Sequence, residues 1–425
     1  MQRFWQACSG LISIVFITHY LSPELQGWYY SFISLAALYT LFDLGLSVVL
    51  AQVSAHQFVR LQWLPHGELS GEETDRFKWL VCWASRHYAV LAFAYLILAV
   101  PGGALFFYNH SLFTGQKISW FAPWAILTSI MAVSILQLPF IAMVEGSGRV
   151  KEVYRIRLIQ GVLGAFGCWT VLIAGGKLWA AAMAPVIGIM VVAVWLAREY
   201  PLLVACAFAK SKSNYDWGQS VWPLQWRVGL SWLSGYLLTQ IYTPALFHYQ
   251  GAIVAGQMGL TLTIANMLGL LAQSSLVRHV PAMAQAAATK NWTELDRLFR
   301  RDFILSTTAY LGGAAILCTV YYSISQTKYI ARVLSFWPFV GLIAVVCINH
   351  VTGALAMQLR SFRQEPLVWV TVAGSLVTVP LAIWAASAYS AAGVVASILG
   401  VQVCLILPAT VRVWKKCNLE WRRTY

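Results

Sequence analysis

The sequence predicts an all-α polytopic membrane protein, with about twelve transmembrane helices in two six-helix lobes related by a pseudo-twofold. Three observations lead there. Of 425 residues, 59% are hydrophobic and only 10% are charged, against roughly 45–50% and about 25% in a soluble domain. Twelve windows reach the roughly 20 apolar residues that a bilayer crossing requires. With the N-terminus placed in the cytoplasm, 25 of the 29 Lys and Arg fall on the inner side, and only Lys117, Lys177, Lys328 and Arg332 fall outside. A miscounted span would invert the sides downstream and mix these totals, so both termini are expected to be cytoplasmic. The net charge of +14 is then a topological address, and nucleic acid is not an expected partner.

The elements follow in order. Spans 1 and 2 (4–22 and 28–54) are joined by the tight turn Ser22-Pro23-Glu24-Leu25-Gln26-Gly27. Span 1 has one Arg and no small-residue cleavage site, so it reads as a structural helix rather than a cleavable signal. Ser70 with Glu72, Glu73 and Asp75 is expected to open an amphipathic helix on the membrane surface. Spans 3 to 6 (87–108, 120–144, 156–175, 178–197) include a second hairpin at Gly175-Gly176-Lys177. The polar run from Ala209 to Asp216 divides the chain into an N-terminal lobe (1–208), a linker (209–225) and a C-terminal lobe (226–425).

Spans 7 and 8 (227–247, 257–277) precede Asn291 and Glu294, which are spaced as a capping box before a second surface helix. Spans 9 to 12 (304–324, 333–357, 367–388, 393–413) complete the count. Ala142-Met143 with Ser147 and Arg149 recurs as Ala356-Met357 with Ser361 and Arg363, at an offset of 214 residues. Each set follows the fourth helix of its half, as a parallel repeat would require. The eight cysteines show no CxxC spacing and are assigned to packing.

An ionisable group at membrane depth costs about 2.5–3.5 kcal/mol on insertion scales, so each one is a functional candidate. Asp43 is the acid that stands out, about midway along span 2. Tyr39, Asp43, Ser47, Leu50 and Ser54 recur every three or four residues and form one face. That carboxylate either binds a proton or cation or contacts substrate hydroxyls in a cavity, or it is satisfied by Tyr39 or a neighbouring helix. Span 8 carries Thr263, Asn266, Leu270 and Gln273 on one face, and span 10 carries Asn349 and His350. Amides and imidazole both donate and accept hydrogen bonds, which suits sugar hydroxyls and equally suits bonding between helices.

Basic groups at inner span ends include Arg3, Arg155, Arg157, Arg227, Arg278 and His279. Arg155 and Arg157 are about 200° apart around a helix, so at most one of them faces a given cavity. The Trp and Tyr residues read mainly as interfacial belts. No carboxylate pair, metal-ligand spacing or P-loop is present, so the expectation is no enzyme, no catalytic residues, no metal and no cofactor.

The run Leu21 to Tyr30, continuing into Phe42-Asp43-Leu44-Gly45-Leu46 and on to Gln52 and His56, resembles the opening of bacterial polysaccharide-biosynthesis flippases. These belong to the multidrug/oligosaccharidyl-lipid/polysaccharide exporter superfamily. Glu145 to Val150, Ala255 to Leu262 and Leu295 to Phe299 are similar to further stretches of that family. The resemblance implies a MATE-like fold with a central cavity that alternates between inward-open and outward-open states. It implies a lipid-linked oligosaccharide of the undecaprenyl-diphosphate type as substrate, flipped across the bacterial inner membrane for O-antigen, capsule or exopolysaccharide synthesis. Polymerase or assembly proteins are implied partners, and H+ or Na+ the implied coupling ion. The chain departs from the family pattern in having no Lys or Arg in mid-span. Substrate contacts are therefore assigned to Arg3, Arg227 and Arg278 for the diphosphate and to Asn266, Gln273, Asn349 and His350 for the sugars, with Asp43 the ion-coupling candidate. Two other readings stand beside this one: a multidrug/cation antiporter of the same superfamily, and a non-transporting membrane enzyme or assembly partner.

Overall fold

The computed structural model describes residues 2–64, 69–114, 118–208, 222–362 and 366–424. Most of the expected linker, and Arg363 of the repeat, lie outside the described residues, as do the side chains of Arg3 and Arg227. All twelve apolar windows fall on helices. In chain order these are α1 (Gln2–Tyr20), α2 (Pro23–Ala36), α3 (Tyr39–Asp43), α4 (Leu46–Gln57), α5 (Thr74–Thr114), α6 (Phe121–Gly146), α7 (Val150–Ile173), α8 (Trp179–Glu199) and α9 (Pro201–Phe208). They continue with α10 (Trp222–Gln240), α11 (Tyr242–Gln250), α12 (Ala252–Ala272), α13 (Ser274–Ala288), α14 (Trp292–Ser323), α15 (Phe336–Arg360), α16 (Val368–Val401) and α17 (Leu407–Thr424).

Eight helices among the described residues are long and apolar enough to cross a bilayer, or nine when the bent pair 23–43 and 46–57 is taken as one span. One of the eight, Val368–Arg422, holds both span 11 and span 12. They are separated at Ser390, whose φ of 57° and ψ of −156° interrupt the helix. Span 1 lies on α1 and span 7 on α10 with α11. Both α1 and α10 are 19 residues long, and polar side chains such as Gln6, Ser9 and Ser13 on α1 and Ser231, Ser234 and Thr239 on α10 interrupt their apolar runs.

Two expectations are corrected. The segment at 70–75 is not a separate surface helix, because Ser70 pairs with Gln62 in a short antiparallel hairpin, β1 (Leu61–Trp63) with β2 (Leu69–Gly71). Helix α5 starts at Thr74 and runs 41 residues without a break. Likewise α14 runs 32 residues from Trp292 and includes span 9. In both cases no Gly or Pro stands between the polar start and the apolar run, so backbone hydrogen bonding continues. Asn291 does cap α14, its side chain accepting from the Glu294 N–H at 3.1 Å. Glu294 takes Arg297 at 2.8 Å instead of returning to the cap, so half of the capping box is present.

The chain forms two compact units, residues 1–5 with 32–236, and residues 6–31 with 237–425. The first is centred on α4, α5, α6 and α8, with Leu46, Leu50, Phe77, Ile135, Met143 and Val192 buried together. In the second, Leu276 and Met283 of α13, Leu295 and Phe299 of α14, and Ala354 and Leu355 of α15 form one cluster.

The stretches that carry the family resemblance pack on one another within each unit. A Cβ on Gly27 would stand 1.7 Å from the Ala252 carbonyl oxygen, so α2 and α12 meet backbone to backbone. Gln26, 1% exposed, donates from Nε2 to the carbonyls of Gly256 (2.9 Å) and Arg332 (3.0 Å). In the first unit a Cβ on Gly146 would stand 2.2 Å from the Ala51 carbonyl oxygen of α4. The repeat also has a structural counterpart: Ser147 is the C-cap of α6 and Ser361 the C-cap of α15.

Candidate functional site

The first unit places Asp43 at a break in span 2. The helix is interrupted after Ala36 and again after Asp43, where Leu44 (φ 44°) and Gly45 (φ 71°) adopt left-handed backbone. A broken helix inside a bilayer needs partners for the backbone groups it frees. At the first break, the Ala36 carbonyl accepts from the Tyr95 hydroxyl at 3.0 Å, and the Ser34 carbonyl from the Tyr236 hydroxyl at 3.1 Å. At the second, the Asp43 carboxylate caps α4. Its Oδ1 accepts from the Ser47 N–H at 3.2 Å and from the Tyr88 hydroxyl at 2.5 Å, and its Oδ2 from the Ser47 hydroxyl at 2.7 Å.

Asp43 is 4% exposed, and Leu50 and Ser54 of the same face are fully buried. The arrangement holds a carboxylate at a helix N-terminus, where the aligned peptide dipoles favour negative charge. The geometry supplies its partners from Ser47, on the face that the spacing along span 2 defined, and from Tyr88 of α5, which that spacing could not reach. Tyr88 and Tyr95 are seven residues apart on one face of α5 and fully buried, a role that the general reading of Trp and Tyr as mainly interfacial did not single out. That seven-residue spacing was the available signal.

In the second unit, His350 is 1% exposed on α15, its ring stacked on Tyr310 with centroids 5.8 Å apart. Neither imidazole nitrogen has a hydrogen-bond partner among the described residues. Tyr310 donates to the Ile343 carbonyl at 2.8 Å. Next to His350, Asn349 accepts at Oδ1 from Nε2 of Gln402 at 2.9 Å. Gln402 opens a π-helical turn, 402–406, the kind of local widening often found where a helix serves a function. Gln273 stands at the junction of α12 and α13, and a Cβ on Gly353 would lie 3.4 Å from its Nε2. Asn266 is exposed on α12, and Asn349 is exposed on α15.

Arg278 is exposed on α13 and has no ion pair among the described residues. Its neighbour His279 contacts Asp302 of α14, Nδ1 to Oδ2 at 2.6 Å, and Asp302 is 2% exposed. Asp302 is thus a second buried acid, hidden in the sequence by Arg300 and Arg301 beside it. Arg157 bonds Glu145 at 3.2 Å while Arg155 is exposed elsewhere, as the 200° separation requires. Among the described residues, no three His, Cys, Asp or Glu side chains gather as a metal site.

No protein-family model matches the chain, and no curated protein matches it. Solved structures do. An inward-facing multidrug resistance transporter of the MATE family and MOP superfamily matches with a TM-score of 0.63 at 15% identity, over 98% of this chain and 96% of that one. The lipid II flippase MurJ, in an inward closed conformation, matches with a TM-score of 0.60 at 13% identity, over 97% of this chain and 86% of that one. The fold is MATE-like. A eukaryotic MATE transporter also matches, with a TM-score of 0.56 at 13% identity, over 100% of this chain and 95% of that one. At these identities the likeness establishes architecture and leaves cargo open.

Proposed function

We propose that this protein flips a lipid-linked oligosaccharide of the undecaprenyl-diphosphate type from the cytoplasmic to the periplasmic leaflet of a bacterial inner membrane, by alternating access. The observation that carries this reading is the state of the buried acids. Among the described residues Asp43 and Asp302 are the buried carboxylates, and both are engaged, Asp43 by Ser47 and Tyr88 and Asp302 by His279. An exporter of organic cations needs a carboxylate available to its cargo, whereas the exposed amide of Asn266, and the amide N–H groups that Asn349 keeps beside its bond to Gln402, suit sugar hydroxyls.

In this reading Arg3, Arg227 and Arg278 take the diphosphate, and Asn266, Gln273, Asn349 and His350 take the sugars. Asp43 couples the cycle to H+ or Na+; one charge moved through 100 mV is worth about 2.3 kcal/mol, enough to bias the exchange. Polymerase or assembly proteins receive the product for O-antigen, capsule or exopolysaccharide synthesis. The likeness to MurJ, named as a lipid II flippase, supports the class of cargo. The likeness to MATE multidrug transporters supports the antiporter reading as strongly. Two assays separate them. Deletion in the host should abolish surface polysaccharide, with restoration by the wild-type chain; unchanged polysaccharide overturns the proposal. Dye efflux in a pump-deficient strain should show no protection, and protection would establish the antiporter.

A further inference from the structure

A cleft of about 970 Å³ opens in the first unit between the start of α7 and the end of α8, beside the β1 hairpin strand. That volume lies at the upper end of the roughly 300–1,000 Å³ typical of small-molecule sites. Its polar end holds Arg149, Arg155 and Arg198 with Glu152 and Glu199, which leaves one net positive charge. Glu152 is consumed within the protein: Oε1 takes Arg149 at 2.6 Å and Oε2 takes the Tyr200 hydroxyl at 2.6 Å. Burial first, and then the bond to Glu152, push the Tyr200 phenol up, so it remains a donor. Arg155 and Arg198 are exposed and have no carboxylate partner among the described residues.

The other end of the cleft is apolar. Ile159 lies one turn beyond Arg155 on α7, and Val194 and Met190 lie one and two turns before Arg198 on α8. Met190 is 61% and Val194 50% exposed, on helices whose composition suits a bilayer. From Glu199 to Met190 is about 13 Å along a helix, so the cleft runs from charged to apolar over the depth that separates a headgroup from upper acyl chain. Trp63 and Trp195 line it near the charged end, where amphipathic rings are favoured at a membrane interface.

We infer that this cleft binds an anionic phospholipid carrying a single phosphodiester, with Arg155 and Arg198 as its phosphate ligands and Ile159, Val194 and Met190 against its chains. Guanidinium forks match phosphate oxygens geometrically, and basic pockets between membrane helices are a recurring site for acidic lipid headgroups. One net positive charge complements one diester. A free phosphate leaves the apolar half unused, and a zwitterionic lipid brings an ammonium to a cationic cleft.

The site is independent of what the protein transports, and its test does not use transport. Full-length protein in neutral detergent is titrated with phosphatidylglycerol, phosphatidylethanolamine or inorganic phosphate, following retained lipid by native mass spectrometry and the thermal midpoint. Phosphatidylglycerol should be retained and should raise the midpoint, and the other two should not. Arg155→Gln with Arg198→Gln should weaken phosphatidylglycerol binding at least tenfold while leaving the lipid-free midpoint unchanged. Arg297→Gln, at an exposed position near the start of α14 and outside the cleft, should change nothing. Val194→Trp keeps every charge and should also block binding by filling the apolar end, which guards against a misfolded double variant. Equal binding of phosphatidylethanolamine, equal stabilisation by inorganic phosphate, or unchanged binding by both cleft variants overturns the assignment.

Discussion

Asp43→Asn separates the two roles the Asp43 carboxylate can have. An amide oxygen still accepts from the Ser47 N–H and from the Tyr88 hydroxyl, so the cap of α4 survives and the expected cost is under about 1 kcal/mol. The charge does not survive. If Asp43 couples transport, the variant should keep its thermal midpoint and lose gradient-driven activity; a parallel fall in both assigns the residue to architecture. Asp43→Leu is the contrasting case, because it leaves the Tyr88 hydroxyl and the Ser47 N–H without their acceptor. It should cost about 2–3 kcal/mol, read as a lowered thermal midpoint. Ser390 offers a prediction of opposite sign. Its φ of 57° with ψ of −156° is backbone that glycine adopts freely and serine does not. Ser390→Gly should therefore stabilise the protein by about 1 kcal/mol, seen as a raised midpoint with transport unchanged.

Among elements, the two breaks in span 2 follow one rule. Each frees backbone groups that a side chain answers: the Ala36 and Ser34 carbonyls accept from the Tyr95 and Tyr236 hydroxyls at the first, and at the second the Ser47 N–H donates to the Asp43 carboxylate, which the Tyr88 and Ser47 hydroxyls hold in place. Tyr95→Phe keeps the ring and removes one donor, leaving the Ala36 carbonyl unpaired; it should cost about 1–2 kcal/mol, read by thermal unfolding. Close helix contacts follow a different rule, that of size. Gly27 and Gly256 let α2 and α12 approach until a methyl on Gly27 would overlap the Ala252 carbonyl. Gly27→Ala should cost about 3 kcal/mol or prevent accumulation in the membrane, checked by expression and fluorescence-detected chromatography. Gly148, with φ 88° and open space around a Cβ, tests conformation apart from crowding: Gly148→Ala should cost about 1 kcal/mol.

For the whole molecule, the sequence's apolar periods and the one-sidedness of its basic residues identified a polytopic helical chain and located all twelve windows on helices. They could do so because a bilayer imposes length and polarity on every crossing, and both are local properties that need no knowledge of neighbours. Local rules also located the end of α6, the N-cap at Asn291 and the separation of Arg155 from Arg157. They failed where a polar prefix joins an apolar run without a breaker, as at Thr74 and Trp292, because helix continuation leaves no mark in composition. The acid at 43 was visible as an exception to polarity. Its partner Tyr88 lies 45 residues away and its role as a helix cap depends on a break at Leu44 and Gly45, which only the packed chain reveals. Asp302 was masked because charge beside it reads as a helix end, and only its contact with His279 of another helix exposes its burial. The sequence by itself determined which segments enter the membrane, since that depends on transfer free energy residue by residue. The tertiary structure decided which polar groups are spent on holding helices together, since that depends on pairing across distances that sequence order does not encode.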